Sequence, residues 1–156
     1  MHSIFKLIKN RHSVRAFKPK KLTQKQINTI KTTLEQAPSA GNLKAYKFTV
    51  FEDSYYKQML RSAALDERFI SDAPAVIVFM ADINKSKAKN KYRGDLYAIQ
   101  DATIACCYAQ LAAEALGLSS CWVGAFQEEL VSMIVGYVDG LKPVALLAVG
   151  YNAKDK

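Results

Sequence analysis

Residues 96–116, LYAIQDATIACCYAQLAAEAL, form the most informative stretch of this 156-residue sequence. The stretch is rich in alanine, cysteine and leucine, carries few charges, and is followed by Gly117, a typical helix stop. We predict the longest helix of the chain over residues 96–116, with Asp95 as its N-terminal cap. A helix that is apolar on all sides must be covered by other elements or by a second subunit.

Helices and strands are interleaved on either side of this stretch. AVIVFM at residues 75–80 has no alternation, which predicts a strand buried on both faces. Thr23 and Gln26 form a capping-box pattern at the start of another helix. The other predicted elements are helices over residues 3–10, 53–64 and 127–135, and strands over residues 47–51, 120–123 and 143–149. Without repeats or linkers, residues 1–156 are predicted to be one mixed α and β domain around a central sheet.

Composition excludes several classes of protein. Hydrophobic residues make up 50% and charged residues 23%, which is typical of globular domains. Apolar runs are far shorter than the ~20 residues of a membrane span, and no secretory signal pattern is present. Three cysteines do not make a disulfide framework, and two histidines without a C-x-x-C pattern argue against structural zinc. We expect a reduced, soluble, cytoplasmic domain with no metal and no membrane partner.

The net charge of +8 is concentrated near the N-terminus, because residues 1–34 hold nine basic side chains and no acidic one. Such a field attracts a phosphate, a nucleic acid or an anionic membrane; the alternative is a solvated lysine-rich surface. A second basic run, residues 85–93, contains the turn formers Ser86 and Asn90 and is flanked by Asn84. It predicts a solvated, exposed loop, with a binding stripe as the alternative.

Three segments are candidates for ligand binding. In RHSVR at residues 11–15, an extended backbone directs the side chains of 11, 13 and 15 to one face, and in a helix 11 and 15 still align. In both cases two guanidiniums and a hydroxyl can face one anion such as a phosphate. APSAGNLK at residues 37–44 is a turn-rich loop whose small residues allow close approach to a ligand. GLSSCWVGAF at residues 117–126 joins the long helix to a strand and a small-residue turn. Each segment has a plain alternative: residues 11–15 would be a surface patch, residues 37–44 an ordinary loop, and Trp122 in residues 117–126 a core residue.

In their order and spacing, these segments resemble the nitroreductase family of FMN-dependent oxidoreductases. RHSVR resembles the family's phosphate-binding start, and APSAGN its P-S-x-x-N loop. The similarity extends to DAPAVIVF at residues 72–79, to YAIQD and LAAEALGL in the long helix, and to CWVGAF and VALLAVGY near the C-terminus. The resemblance implies an α+β nitroreductase-like fold, with a central mixed sheet flanked by helices. It also implies a homodimer with FMN at its interface.

The resemblance also implies roles for individual residues. The phosphate and ribityl end of FMN would be held by Arg11, Ser13 and Arg15, by the backbone of His12, and by the C-terminal Lys154 and Lys156. The isoalloxazine would be lined by Pro38, Ser39 and Ala40 from the partner chain, with Asn42 close by. The backbone of Gly124 and Ala125 would approach the reactive edge of the flavin; the alternative for Gly124 is a turn glycine that needs a positive φ.

Two segments depart from the family pattern. Gly150-Tyr151-Asn152 replaces the usual Gly-Tyr-Pro, and residues 66–69 (DERF) lack the Asn and Lys that contact the flavin pyrimidine in many members. Arg68 is the candidate replacement.

The implied activity is transfer of hydride from NAD(P)H through flavin N5 to a small acceptor (a nitroaromatic, a quinone or a flavin) by a ping-pong mechanism. Because the flavin carries the chemistry, no catalytic side chain is expected. One alternative is a flavin carrier of the same fold without turnover. Another is a small basic nucleic-acid-binding domain, but the sequence has no RNP-type or helix-turn-helix signature. We therefore expect no nucleic-acid partner.

Overall fold

The computed structural model describes residues 3–154, in which a four-stranded sheet of order β1-β2-β4-β3 is flanked by helices. The helices are α1 (Ile4–Asn10), α2 (Gln24–Leu34), α3 (Ser54–Ala63), α4 (Arg68–Asp72), α5 (Ile83–Lys87), α6 (Gly94–Ala115) and α7 (Glu128–Ile134). The strands are β1 (Tyr46–Phe51), β2 (Ala75–Asp82), β3 (Ser119–Val123) and β4 (Leu141–Gly150), and Ala40–Asn42 forms a 3₁₀ turn. The α+β fold class is confirmed.

The neighbouring strands all pair antiparallel, so the four strands form an antiparallel sheet and not the mixed sheet that was expected. Within residues 3–154, the parallel contribution to the sheet is one isolated bridge between Ser13 and Ser120. Along the β2–β4 pair, Phe79 lies opposite Ala145 and Met80 opposite Pro143, so the register shifts at this point. The irregularity accommodates the proline, which has no N–H to donate to a regular ladder.

The sheet is covered on both faces. One hydrophobic cluster joins it to α2 and α6, and the other joins it to α3, α4 and α7. Leu146 and Leu147 are adjacent on β4 and lie in opposite clusters, and both are fully buried. The predicted burial of residues 75–80 on both faces is therefore confirmed.

Helix α6 begins two residues earlier than predicted, at Gly94 and not at Leu96. Arg93 occupies the N-cap position, and Asp95 lies in the first turn, where its carboxylate pairs with the Lys87 Nζ at 2.9 Å. The predicted Asp95 cap is therefore wrong. A Cβ at Gly94 would lie 2.8 Å from the Lys87 Cα, so a glycine is needed where α5 packs on α6. At the other end Gly117 has φ 72° and the Leu118 N–H donates to the Ala113 carbonyl at 2.9 Å, which confirms the predicted stop.

Two short helices were not predicted. Helix α5 occupies the first part of the expected loop at residues 85–93, because the Asp82 carboxylate accepts the Lys85 N–H at 2.9 Å and caps it. Of the expected loop at 85–93, only residues 88–93 lie outside helices. Helix α4 places Phe69 and Ile70 in the core. No helix within residues 3–154 has the length and apolar character needed to cross a membrane.

Candidate functional site

Residues 13–18 run extended between β3 and the C-terminal segment. The Val14 N–H donates to the Ser120 carbonyl at 3.1 Å, the Lys18 N–H donates to the Tyr151 carbonyl at 2.8 Å, and the Ala153 N–H donates to the Ala16 carbonyl at 2.9 Å. Val14 is buried, whereas Ser13 and Arg15 on either side of it are exposed. The alternation expected for this segment is present, and it directs Ser13 and Arg15 away from the core.

A cavity of about 410 Å³ lies against this segment and is called the cationic cavity here. It is lined by residues 12–16, Asn152 and Lys154. The structure thus brings Lys154 together with Ser13 and Arg15, although the two segments are at opposite ends of the described chain. A smaller cavity of about 340 Å³ shares Asn152 and Lys154 with it and adds Lys18 and Lys20.

Of the other predicted phosphate ligands, His12 also lines the cationic cavity, whereas Arg11 does not. The Arg11 N–H donates to the Leu7 carbonyl at 2.9 Å and caps α1. The His12 ring Nδ1 lies 2.9 Å from the Asn10 carbonyl oxygen, so that nitrogen is occupied within the chain. Lys156 lies outside the described residues.

Cys121 lies beneath the cationic cavity. Burial raises the pKa of its thiol, while the nearby Arg15 guanidinium and a hydrogen bond with the Ser13 side chain oppose that rise. A raised pKa keeps the thiol protonated at neutral pH. Cys121 therefore packs under the cavity as a neutral group and leaves the positive field of Arg15 intact.

A second cavity, of about 560 Å³, lies between the 37–44 loop and α6 and is called the helix cavity here. It is lined by Pro38, Ser39 and Ala40 from the loop and by Tyr97, Gln100, Asp101, Thr103 and Ile104 from α6. In the loop, the Ser39 Oγ accepts the Lys44 N–H at 2.9 Å. Asn42 has φ 56° and is exposed, and it does not line the cavity.

Asp101 fixes this loop to α6. The residue is 2% exposed, and its carboxylate accepts two backbone N–H groups, from Ala40 at 2.9 Å and from Ala45 at 3.2 Å. Hydrogen bonds to an ionised acceptor are stronger than neutral ones. Sequence reasoning did not assign this role. The available signal was that Asp101 is the one charged residue between Asp95 and Glu114 of an otherwise neutral helix.

One face of α6 is left uncovered, and we call it the neutral face. Its exposed residues are Leu96, Gln100, Thr103, Cys107 and Ala115. Helix α1 packs against α6 and adds exposed apolar side chains, with Phe5 80% exposed. The helix cavity opens beside this face, since Gln100 and Thr103 belong to both.

The cationic cavity and the helix cavity share no lining residue. Asp101 lines the helix cavity, whereas Glu114 lines the smaller basic cavity beside the cationic one. The stretch of α6 between these two acids rises roughly 20 Å. A single chain therefore does not bring Pro38–Ala40 next to Ser13 and Arg15.

Gly124 and Ala125 lie exposed in the loop after β3 and line neither cavity. Gly124 is not among the glycines with positive φ, and a Cβ there would meet only the Trp122 Nε1, at 3.7 Å. The alternative that this glycine serves a positive-φ turn is therefore wrong. Arg68 also lines neither cavity; its Nε lies 3.7 Å from the Asp72 carboxylate.

Comparison with known proteins gives consistent matches along the chain. The profile of the nitroreductase family matches residues 8–67 and 53–151. The FMN reductase (NADPH) of Bacillus subtilis is 25% identical in an alignment of 167 positions. That alignment covers 98% of this chain and 67% of the relative.

Two solved structures are similar in fold. An FMN-dependent nitroreductase from Clostridium difficile has a TM-score of 0.84 at 27% identity, covering 96% of this chain and 88% of its own. NfrA1 of B. megaterium has a TM-score of 0.91 at 26% identity, covering 99% of this chain and 68% of its own.

Proposed function

The chain belongs to the nitroreductase family, and on that premise we propose that it is an FMN-dependent oxidoreductase that uses NAD(P)H to reduce a small acceptor. The relatives named as FMN reductases and the FMN-dependent nitroreductase of similar fold support this proposal. The observation that carries it is the cationic cavity, where three predicted phosphate ligands, Ser13, Arg15 and Lys154, converge.

The residues of the two cavities fit FMN. Arg15 and Lys154 supply positive charge, and Ser13 supplies a hydroxyl, which together suit a phosphate group. In the helix cavity, Pro38, Ala40 and Ile104 provide apolar surface for a flat ring. Ser39 and Gln100 provide polar groups that match the polar edges of an isoalloxazine. The donor set therefore suits a molecule with an anionic end and an aromatic end.

A homodimer is the arrangement in which both cavities serve one FMN. Within a chain they lie far apart along α6, so the loop at Pro38–Ala40 would act on the flavin held by the partner's cationic cavity. The neutral face supplies the surface for such an association, because it lacks the charge typical of a water-facing helix. Obligate interfaces of this kind bury more than about 2,000 Å² in total.

Bound FMN would supply the redox chemistry, taking hydride from NAD(P)H at N5 and passing two electrons to a nitroaromatic, quinone or flavin in a ping-pong cycle. The chain's own residues bind and position. Ser13, Arg15 and Lys154 hold the phosphate, with Arg11 and the His12 backbone beside them. Asp101 holds the Pro38–Ala40 loop against α6, so that this loop keeps water from one side of the ring. We assign to the backbone of Gly124 and Ala125 the contact with the reactive edge of the flavin, and we place Asn42 near the flavin ring.

The proposal is tested on the purified protein. We expect one noncovalent FMN per chain, identified by mass after heat release, and bleaching of its absorbance on anaerobic addition of NAD(P)H. Addition of a quinone or a nitroaromatic should restore the absorbance. A protein that does not bind FMN on titration would contradict the whole proposal. Bound FMN that neither NADH nor NADPH reduces would favour the flavin-carrier alternative.

A further inference from the structure

The run of basic residues at 85–93, which covers the end of α5 and the segment before α6 and is called the basic loop here, has no role in the function proposed above. It comprises Lys85, Lys87, Lys89, Lys91 and Arg93, all exposed, and no acidic residue occurs from 83 to 94. Lys87 pairs with Asp95, and the Lys85 Nζ donates to the Lys44 carbonyl at 3.4 Å. Lys89 and Lys91 form no ion pair with any residue of the described range 3–154. Two cations at the tip therefore remain available for a ligand.

Both ends of this basic loop are fixed. At its start, the N–H groups of Ala88 and Asn90 donate to the carbonyls of Asn84 and Ser86, at 3.1 and 2.9 Å. At its end, the absence of a side chain at Gly94 lets the Lys87 backbone pack directly on α6. The lysines at the tip are thus presented from a constrained backbone, which lowers the entropy lost when they bind.

The loop borders a cavity that adjoins the helix cavity. This cavity, of about 500 Å³, is lined by residues 88–93 and Tyr97. Tyr97 also lines the helix cavity, and the Arg93 guanidinium lies 5.6 Å from the centre of its ring. A molecule with one end in the helix cavity can therefore pass Tyr97 and place its other end among the cations of the loop.

We propose that the basic loop is a subsite for the 2′-phosphate of NADPH and that it makes this chain prefer NADPH to NADH. The inference rests on the proposed function, in which the flavin ring lies at the helix cavity, and it adds that the nicotinamide stacks on that ring. NADPH differs from NADH only by a phosphate on the adenosine ribose, at the end of the molecule away from the nicotinamide. Lys89 and Lys91 meet that phosphate with free ammonium groups, while Arg93 adds a guanidinium beside Tyr97.

The test compares the double variant Lys89→Gln/Lys91→Gln with Lys25→Gln/Lys47→Gln, which removes the same charge at two exposed positions on α2 and β1. The measurements are kcat/KM for NADPH and for NADH with one quinone acceptor, and the affinity of the FMN-loaded protein for NADP⁺ and NAD⁺ by calorimetry. We expect the loop variant to lose about tenfold in kcat/KM for NADPH, or about 1.4 kcal/mol. The loss should arise through KM, with a matching loss of NADP⁺ affinity and less than a twofold change for NADH and NAD⁺. The control variant should keep the wild-type ratio.

Each other outcome overturns the proposal. Equal losses with both donors would place the shared pyrophosphate, and not the 2′-phosphate, at the loop. An unchanged NADPH to NADH ratio in an FMN-loaded, active variant would remove the loop from donor recognition but leave the proposed function intact. A wild-type protein that binds no FMN or oxidises neither donor would defeat the proposed function, and the inference with it.

Discussion

The cationic cavity and the helix cavity are built by different means. The first is formed by backbone pairing of three segments, the 13–18 stretch, β3 and the C-terminal residues, and it is complete within one chain. The second depends on one buried carboxylate, Asp101, and it opens beside an uncovered face of α6. A cavity formed by many backbone hydrogen bonds is insensitive to single side-chain changes in its frame. A cavity that is held by one carboxylate and, in the proposed dimer, completed by a second chain would be sensitive to both.

The largest effect is expected from placing a charge on the neutral face. Cys107 is exposed in the single chain, so Cys107→Arg should leave the fold intact. In a dimer the guanidinium would be buried without a partner, which costs about 3–5 kcal/mol. We expect dissociation to monomers by sedimentation velocity and a more than roughly hundredfold loss of FMN affinity.

The matched control is Ser62→Arg, an exposed position on α3 across the sheet from α6. It should leave both the oligomeric state and FMN binding unchanged. An intact, FMN-loaded Cys107→Arg dimer would show that the neutral face does not complete the site.

A smaller effect is expected in the cationic cavity. Arg15→Ala removes a charge-assisted contact to phosphate and should cost about 1.5–3 kcal/mol of FMN affinity by titration of the apo-protein. Arg11 lies outside the cavity lining, so Arg11→Ala should cost less. Unchanged affinity in both variants would refute the assignment of the phosphate to this cavity.

Asp101→Asn should affect the helix cavity and its loop. An amide presents one carbonyl oxygen, so one of the N–H groups of Ala40 and Ala45 would lose its acceptor. We expect the free energy of unfolding to fall by about 1–3 kcal/mol in denaturant titrations.

The control for that experiment is Asp72→Asn, which weakens an exposed ion pair with Arg68 and should cost no more than about 1 kcal/mol. Equal losses in the two variants would mean that the buried carboxylate has no special role in holding the loop.

The smallest effect on folding is expected at Gly124. An added methyl group meets only the Trp122 Nε1 at an ordinary contact distance, so Gly124→Ala should change stability by less than about 0.5 kcal/mol. If the backbone here lies at the flavin's reactive edge, the rate of FMN reduction by NADPH per bound flavin should still fall. A normal rate with a normal melting temperature would exclude Gly124 from the site.

The sequence predicted those parts of the fold that local chemistry determines. The Thr23 capping box and the Gly117 stop are present because each depends on residues within one turn. The predicted start of α6 was wrong because Lys87 pairs with Asp95 and packs against Gly94, and no local sequence pattern reveals these contacts.

The same difference between local and long-range contacts decides which parts of the candidate site could be predicted. Alternation at residues 11–15 predicted that Arg11, Ser13 and Arg15 share a face. The structure shows Ser13 and Arg15 lining one cavity, whereas Arg11 lies at the end of α1 and does not line it. The isolated charge of Asp101 was a visible signal, but its partner could not be predicted, because Ala40 lies 61 residues away in the sequence. Contacts at that separation are set by the packing of α6 against the loop.

The pairing of the Ala153 N–H with the Ala16 carbonyl has a consequence for biosynthesis. One wall of the cationic cavity comes from the start of the described chain and the other from its end, so a nascent chain cannot form this cavity until residue 154 has left the ribosome. Closing so long a loop is among the entropically expensive steps of folding and belongs late in the pathway. A ligand of this cavity therefore has no part in guiding early folding. It stabilises the finished protein by mass action, and depletion of that ligand inside a cell would shorten the protein's lifetime.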